Sequence, residues 1–297
     1  MEFRTPVKIV QPPFSIEPGQ RVLCVGSCFA ASIGQRFTDA LFPTTTNPYG
    51  VMYNPASILH TLERLTNHDS SSPFEQIISN SSLLEEPGRN PHLAILTLGT
   101  NHIYKLKETG EIVDNCQKRP SALFNEQELS VDQCADYLQK AIVLLCKMNP
   151  HVNIILTVSP IRYHKYGFHG SQLSKATLLL AVDKILTAHP SSLTHRISYF
   201  PAYEIMNDEL RDYRFYAPDM LHPSDQAVEY IWQQFVEAFF SDDAKQYLRE
   251  WQPIRKALNH HPFDEKSSEY KAFRMQTQQH LSDFKNKWLN QKLDDES

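Results

Sequence analysis

Two short stretches of this chain carry residues that could do chemistry together. In the first, an apolar run, Val22-Leu23-Cys24-Val25, breaks at Gly26-Ser27-Cys28 and continues as the helical pattern Phe29–Ala40. A serine hydroxyl is a poor nucleophile at neutral pH. It needs a base, a group that orients the base, and donors for a developing oxyanion. Ser27 stands where a strand hands over to a helix, and a helix N-terminus favours negative charge. The plainer role for Ser27 is a helix N-cap.

The second stretch is "YAPDMLHPSDQAVEYIW", residues 216–232. Asp219 precedes His222 by three residues, and Ser224 then caps a helical pattern. An aspartate at that spacing can curl back to the imidazole Nδ1. This fixes the tautomer and leaves Nε2 to take a proton from Ser27. The plainer reading makes both ordinary loop residues. For the oxyanion, the candidate donors are the Ser27 N–H, the Gly50 N–H in "TTTNPYGVMYNP" and the Asn101 side chain in "LTLGTNHIY". Gly50 and Asn101 could instead serve only turns.

Cys28 is a rival nucleophile beside His222, although cysteines are often simply buried. Arg162, Tyr163 and His164 follow an apolar run, placed to meet a substrate carboxylate or sugar hydroxyls. Glu209, Arg211, Asp212 and Arg214 read as a structural charge cluster bracing the Asp219 loop. The 13 histidines are scattered, with no H-E-x-x-H and no paired cysteines, so neither a metal nor another cofactor is expected.

These residues must be held by alternating elements. Buried-strand runs fall at Arg21–Val25, His92–Leu98, Val152–Ser159 and Ile197–Phe200. Helical periodicity fits Phe29–Ala40, Pro55–Leu65, Val131–Met148, Ser174–Ala188 and Asp225–Phe240. This alternation predicts an α/β fold with a central parallel sheet and helices on both faces. Ligands sit at the carboxyl ends of such strands, where Gly26-Ser27, Gly99 to Asn101 and Ser159-Pro160 all fall. The polar stretch Asn67–Ser82 reads as a surface loop or lid.

After Phe240 the chain turns polar, with Pro253 and Pro262 as expected breaks and an amphipathic helix over Glu269–Leu289. The division predicted is 1–240, the catalytic domain, and 241–297, a helical extension that packs on the core or forms a homo-oligomer.

The 297 residues, 41% apolar, suffice for one large domain with an appendage. A net charge of -5 without a basic run argues against a nucleic-acid partner. No apolar run approaches the roughly 20 residues of a membrane span. The start, "MEFRTPVKIVQPPFS", has no signal-peptide core, and five cysteines without a CxxC pair read as reduced thiols. A cytoplasmic protein with no membrane partner is expected.

The block order (Gly-Ser, Gly, Gly-x-Asn, Asp-x-x-His) resembles the SGNH (GDSL-like) hydrolases. More specifically, Gly26-Ser27-Cys28-Phe29-Ala30 resembles the motif that names the GSCFA family. "NPYGVMYNPASI" (47–58), "NCQKRP" (115–120), "TVSPIRY" (157–163) and "YFPAYEIMNDELRDYRFYAPDMLHPS" (199–224) are similar to it too. The resemblance spans roughly residues 20–240. It implies a three-layer SGNH-hydrolase-like fold and a Ser27-His222-Asp219 triad. It also implies esterase or acyl-transfer activity on an acyl ester of a carbohydrate or other small hydroxyl compound. Asn115 is a spare amide that could replace Asn101 or bind substrate. The alternative is a non-catalytic acyl- or carbohydrate-binding protein that keeps the fold.

Overall fold

The computed structural model describes residues 4–66, 88–116, 119–188, 196–264 and 267–290. The stretch Asn67–Ser82 lies outside the described residues. Five parallel strands form the central sheet: β1 (Val22–Gly26), β2 (Thr44–Thr46), β3 (Leu93–Leu98), then Asn153–Val158 and Ile197–Tyr199. Their order is β2-β1-β3 followed by Asn153–Val158 and Ile197–Tyr199. The order reverses at β1/β3, so a crevice opens above the carboxyl ends of these two strands.

Strand alternation sorts the core into two layers. Val22, Cys24, Leu93 and Ile95 face one side, packed with α1 (Cys28–Asp39). Leu23, Val25, Ala94, Leu96 and Leu98 face the other, packed with α2 (Pro55–Thr66). Helix α1 is capped by the Ser27 side chain and buries Phe29, Ile33 and Phe37, one face at helical spacing.

An antiparallel ribbon absent from the sequence reading branches from the end of β3. It comprises β4 (His102–Leu106), β5 (Ile112–Val113) and β6 (Phe124–Glu128), in the order β5-β4-β6. Helix α3 (Val131–Met148) follows, begun by a Ser130–Gln133 capping box. It leads into β7 (Asn153–Val158) and then α4 (Gly167–Ala188), which starts seven residues before the predicted Ser174. Strand β8 (Ile197–Tyr199) closes the sheet, and α5 (Asp225–Phe239) is capped by Ser224.

Pro253 does not break the tail. It lies within α6 (Asp242–Leu258). A proline there removes one helical hydrogen bond. Burial of Tyr247, Trp251 and Ile254 on the same helix outweighs that loss. Helix α7 (Ser268–Lys285) follows and buries Phe284 against Tyr247 and Trp251.

The tail grips the far end of α1. The Tyr247 hydroxyl donates to the Ala40 carbonyl at 2.7 Å, and the Trp251 indole donates to the Asp39 carbonyl at 2.7 Å. Arg255 pairs with the Asp39 carboxylate. Within the charge cluster, Arg214 lies 3.7 Å from Asp212. Buried Glu209 instead reaches the Val7 N–H, Arg4 and Tyr230.

The Tyr247 contact is open to test. Tyr247→Phe removes one buried hydrogen bond and should cost about 1 kcal/mol. Tyr247→Ala also empties an aromatic site and should cost about 3–5 kcal/mol. Urea unfolding midpoints check both, and equal midpoints for the two variants would show that the ring is not buried in solution.

Candidate active site

Gly26 sets the position of Ser27. Its backbone has φ +142°, and a Cβ there would lie 2.1 Å from the Thr97 carbonyl oxygen of β3. Only glycine permits so close an approach. The Ser27 N–H donates to that carbonyl at 3.1 Å. The Ser27 hydroxyl accepts from the Phe29 N–H at 3.3 Å and lies 3.3 Å from the Thr97 hydroxyl. The serine is therefore the cap of α1 and, at the same time, part of a cavity wall.

Asp219 organises the opposite wall. One carboxylate oxygen accepts the Leu221 N–H at 2.9 Å and the His222 N–H at 3.0 Å. The other takes the His222 Nδ1 at 2.5 Å. These bonds, the two backbone N–H groups foremost, hold the carboxyl down at about 2. The imidazole Nε2 has no hydrogen-bond partner among the described residues. Both side chains are nearly half exposed, Asp219 at 46% and His222 at 45%.

The β7–α4 loop ties this wall down. The Arg162 N–H donates to the Leu221 carbonyl at 3.0 Å, and its guanidinium reaches the Met220 carbonyl at 3.3 Å. Ser27, Cys28, Arg162, His164 and His222 line one cavity of about 290 Å³. Cys28 Sγ lies 3.7 Å from the Tyr53 hydroxyl.

The expected oxyanion donors are otherwise engaged. The Gly50 N–H donates to the Asn47 carbonyl at 2.8 Å, closing a turn. The Asn101 amide donates to the Leu129 carbonyl at 2.8 Å, buried and off the cavity wall. The Ser27 N–H serves the sheet edge, as above. By contrast, the Cys28 N–H, the first of α1, meets no acceptor among the described residues, as expected of a helix's first turn.

Asn115 lines a neighbouring cavity of about 470 Å³ walled by Tyr53, Tyr104, Phe124, Tyr163 and Tyr166. Tyr53, Thr100, Tyr163 and Lys165 border both cavities, so the two form one cleft. The ribbon β4–β6 supplies the outer wall. Its side chains form a network in which Tyr104 bonds Tyr166 at 2.9 Å and Lys165 pairs with Glu126 at 3.2 Å.

One residue of the cavity escaped the sequence reading. Lys175 is 2% exposed and donates to the carbonyls of Gly99 at 2.7 Å and Ser159 at 2.9 Å. These two residues directly follow β3 and β7. The signal was present: Ser171, Ser174, Leu178, Val182 and Ile185 mark the buried face of α4, and Lys175 falls on it.

Among the described residues no helix is long and apolar enough to cross a membrane. All five cysteines are free, and no group of three ligating side chains among the described residues could hold a metal ion.

Comparison with known proteins bears on this arrangement. The GSCFA family matches residues 21–85 and 72–235, covering the sheet and both cavity walls. The chain belongs to the GSCFA family. A second match, to the GSCFA domain protein C-terminal domain, covers residues 251–297. No curated protein matches this GSCFA chain. Among solved structures it is similar to a protein from Streptococcus pneumonia at 16% identity and TM-score 0.45, over 74% of this chain and 85% of that one. It is also similar to an acetyl-xylooligosaccharide esterase from Geobacillus Stearmophilus (13% identity, TM-score 0.42, 76% and 96% covered). A third is a family 3 carbohydrate esterase from Clostridium thermocellum (13%, TM-score 0.37, 81% and 99%).

Lys175 gives a pH test. Burial lowers its amine from the ordinary lysine range to about 7. From about pH 7 to 10 the unfolded chain therefore holds a proton that the folded chain has released. Stability must rise with pH through that window for this group. The wild type should gain stability relative to Lys175→Met between pH 7 and 9, read from urea midpoints. A constant difference would show that the amine is not desolvated.

Proposed function

We propose that this GSCFA protein is a serine ester hydrolase of the SGNH type that passes through an acyl-enzyme. The observation carrying this is that Ser27 and the Asp219-oriented His222 border one cavity at the carboxyl edge of the sheet. In the first half-reaction the Ser27 oxygen bonds to the ester carbonyl carbon, and its proton passes to His222 Nε2. The tetrahedral oxyanion collapses, the alkoxide leaves, and His222 returns the proton to it. Water then repeats the sequence against the acyl-serine.

The oxyanion assignment shifts from the donors expected from sequence. The Cys28 N–H, at the positive end of α1, is the donor left free beside Ser27, and the helix supplies a favourable field. The aromatic cavity with Asn115 fits the alcohol part of a carbohydrate ester, since ring faces and an amide suit a substrate with both C–H faces and hydroxyls.

The rival, an acyl- or carbohydrate-binding protein without catalysis, draws on one observation. The Ser27 hydroxyl makes its hydrogen bonds to Thr97 and Phe29, not to His222. Such contacts are often loose in an empty site and tighten with substrate.

Turnover of an activated short-chain ester separates the readings. Ser27→Ala should lower kcat by several orders of magnitude, on the order of 10⁴-fold or more. Cys28→Ala should keep most activity, because its backbone N–H survives the change. Loss in Cys28→Ala with retention in Ser27→Ala would make the thiol the nucleophile. No turnover by the folded wild type on any short-chain ester or acetylated sugar would favour the binding protein.

The pH profile is a further check. Asp219, held near 2, stays ionised throughout the working range. A general base must be unprotonated to accept the Ser27 proton, so kcat/KM should fall on acidification with no contribution from Asp219. Asp219→Asn should depress the rate at every pH by freeing the wrong tautomer. A flat profile down to pH 4 in the folded enzyme would remove histidine from the mechanism.

A further inference from the structure

The cavity beside Ser27 is unusual in its charge. Arg162, Lys165 and Lys175 line it together with two histidines, and among the described residues no aspartate or glutamate does. Two of these charges already have partners nearby: Lys165 pairs with Glu126, and His222 with Asp219. Among the described residues Lys175 and Arg162 have no carboxylate partner.

Lys175 is the deeper of the two. An ammonium has three N–H donors. Two go to the carbonyls of Gly99 and Ser159; in the protonated form the third meets no oxygen acceptor among the described residues, its other neighbour being the Tyr203 ring at 5.8 Å. Tying two carbonyls together needs only the two N–H of a side-chain amide. The charge and the third donor exceed that task. A buried cation without a countercharge is costly. Burial is what lowers this amine, and no carboxylate among the described residues offsets it.

Arg162 also lines the cavity and is only partly buried. Its guanidinium touches the Phe168 ring at 4.3 Å and the rings of Tyr213 and Tyr216 at 5.4 Å each. Its polar contact is the Met220 carbonyl at 3.3 Å, a neutral acceptor. Ring contacts fix the plane of the fork while leaving its charge uncompensated, which suits recognition of a carboxylate.

We propose that the Ser27 cavity accepts an ester whose acyl or alcohol part carries a carboxylate, bound between the free N–H of Lys175 and the guanidinium of Arg162. This rests on the ester-hydrolase reading above for the word ester, but the anion site itself does not.

Two measurements test it separately. Calorimetry on the full chain at pH 6, where Lys175 with its value of about 7 holds its third proton, compares succinate with succinamide, its uncharged counterpart. Succinate should bind at least about tenfold more tightly, and Arg162→Gln should remove about tenfold of that affinity. Lys175→Met should weaken succinate similarly; should that variant not fold, the succinamide comparison and Arg162→Gln carry the decision. Equal binding of the two compounds, or no succinate binding at millimolar concentration, overturns the proposal.

Turnover then places the anion. Mono-4-nitrophenyl succinate against its methyl ester reads the acyl side, and 4-acetoxybenzoate against its methyl ester reads the alcohol side. Preference for the carboxylate in one pair, lost in Arg162→Gln, supports the proposal and names the side. Turnover of the methyl esters without any carboxylate preference overturns it while leaving the hydrolase. Succinate binding with no turnover of any ester overturns the hydrolase and leaves the anion site standing.

Discussion

The close passage of β1 against β3 at Gly26 governs the rest of the site. A side chain there would collide with the Thr97 carbonyl, so the strand can approach only as glycine. That approach lets the Ser27 N–H join the sheet edge and makes Ser27, directly after the last residue of β1, the cap of α1. The hydroxyl is thereby fixed by backbone geometry and needs few side-chain contacts. The same backbone commitment directs the Ser27 N–H to the Thr97 carbonyl, so the first free amide of the helix stands one residue along, at Cys28.

The histidine wall is built by different means. Asp219 closes its own loop by accepting two backbone N–H groups, then spends its remaining oxygen on the imidazole. That unit would be free to swing on a surface. It is pinned because the Arg162 N–H reaches the Leu221 carbonyl. The loop after β7 therefore does two jobs: it lines the cavity and it holds the opposite wall at a set distance. Lys175 does the same below, joining the ends of β3 and β7 through their carbonyls.

What could be read from sequence divides by range. The four long strand runs and the main helices announce themselves by periodicity, and D-x-x-H announces the Asp219–His222 bond because three residues is a local reach. The ribbon β4–β6 did not, since a strand such as Phe124–Glu128 is mostly polar and exposed and gains its order only by pairing. Gly50 and Asn101 misled for a related reason. Residue type says that an amide can donate, but only the fold says to whom, and here Asn47 and Leu129 claim those donors. Pro253 misled because local propensity was weighed without the aromatic burial on either side of it. Lys175 is legible in the sequence: a lysine on the apolar face of a periodic helix is an anomaly with a physical meaning.

The grip of the tail on α1 also changes what the tail is for. Helix α1 is a rod of about 18 Å, with Ser27 at one end and Asp39-Ala40, held by Trp251 and Tyr247, at the other. A rod clamped at both ends can neither slide nor tilt. Tyr247, Trp251 and Arg255 thus act as the distant bearing of the serine, bracing it from the far end of its own helix.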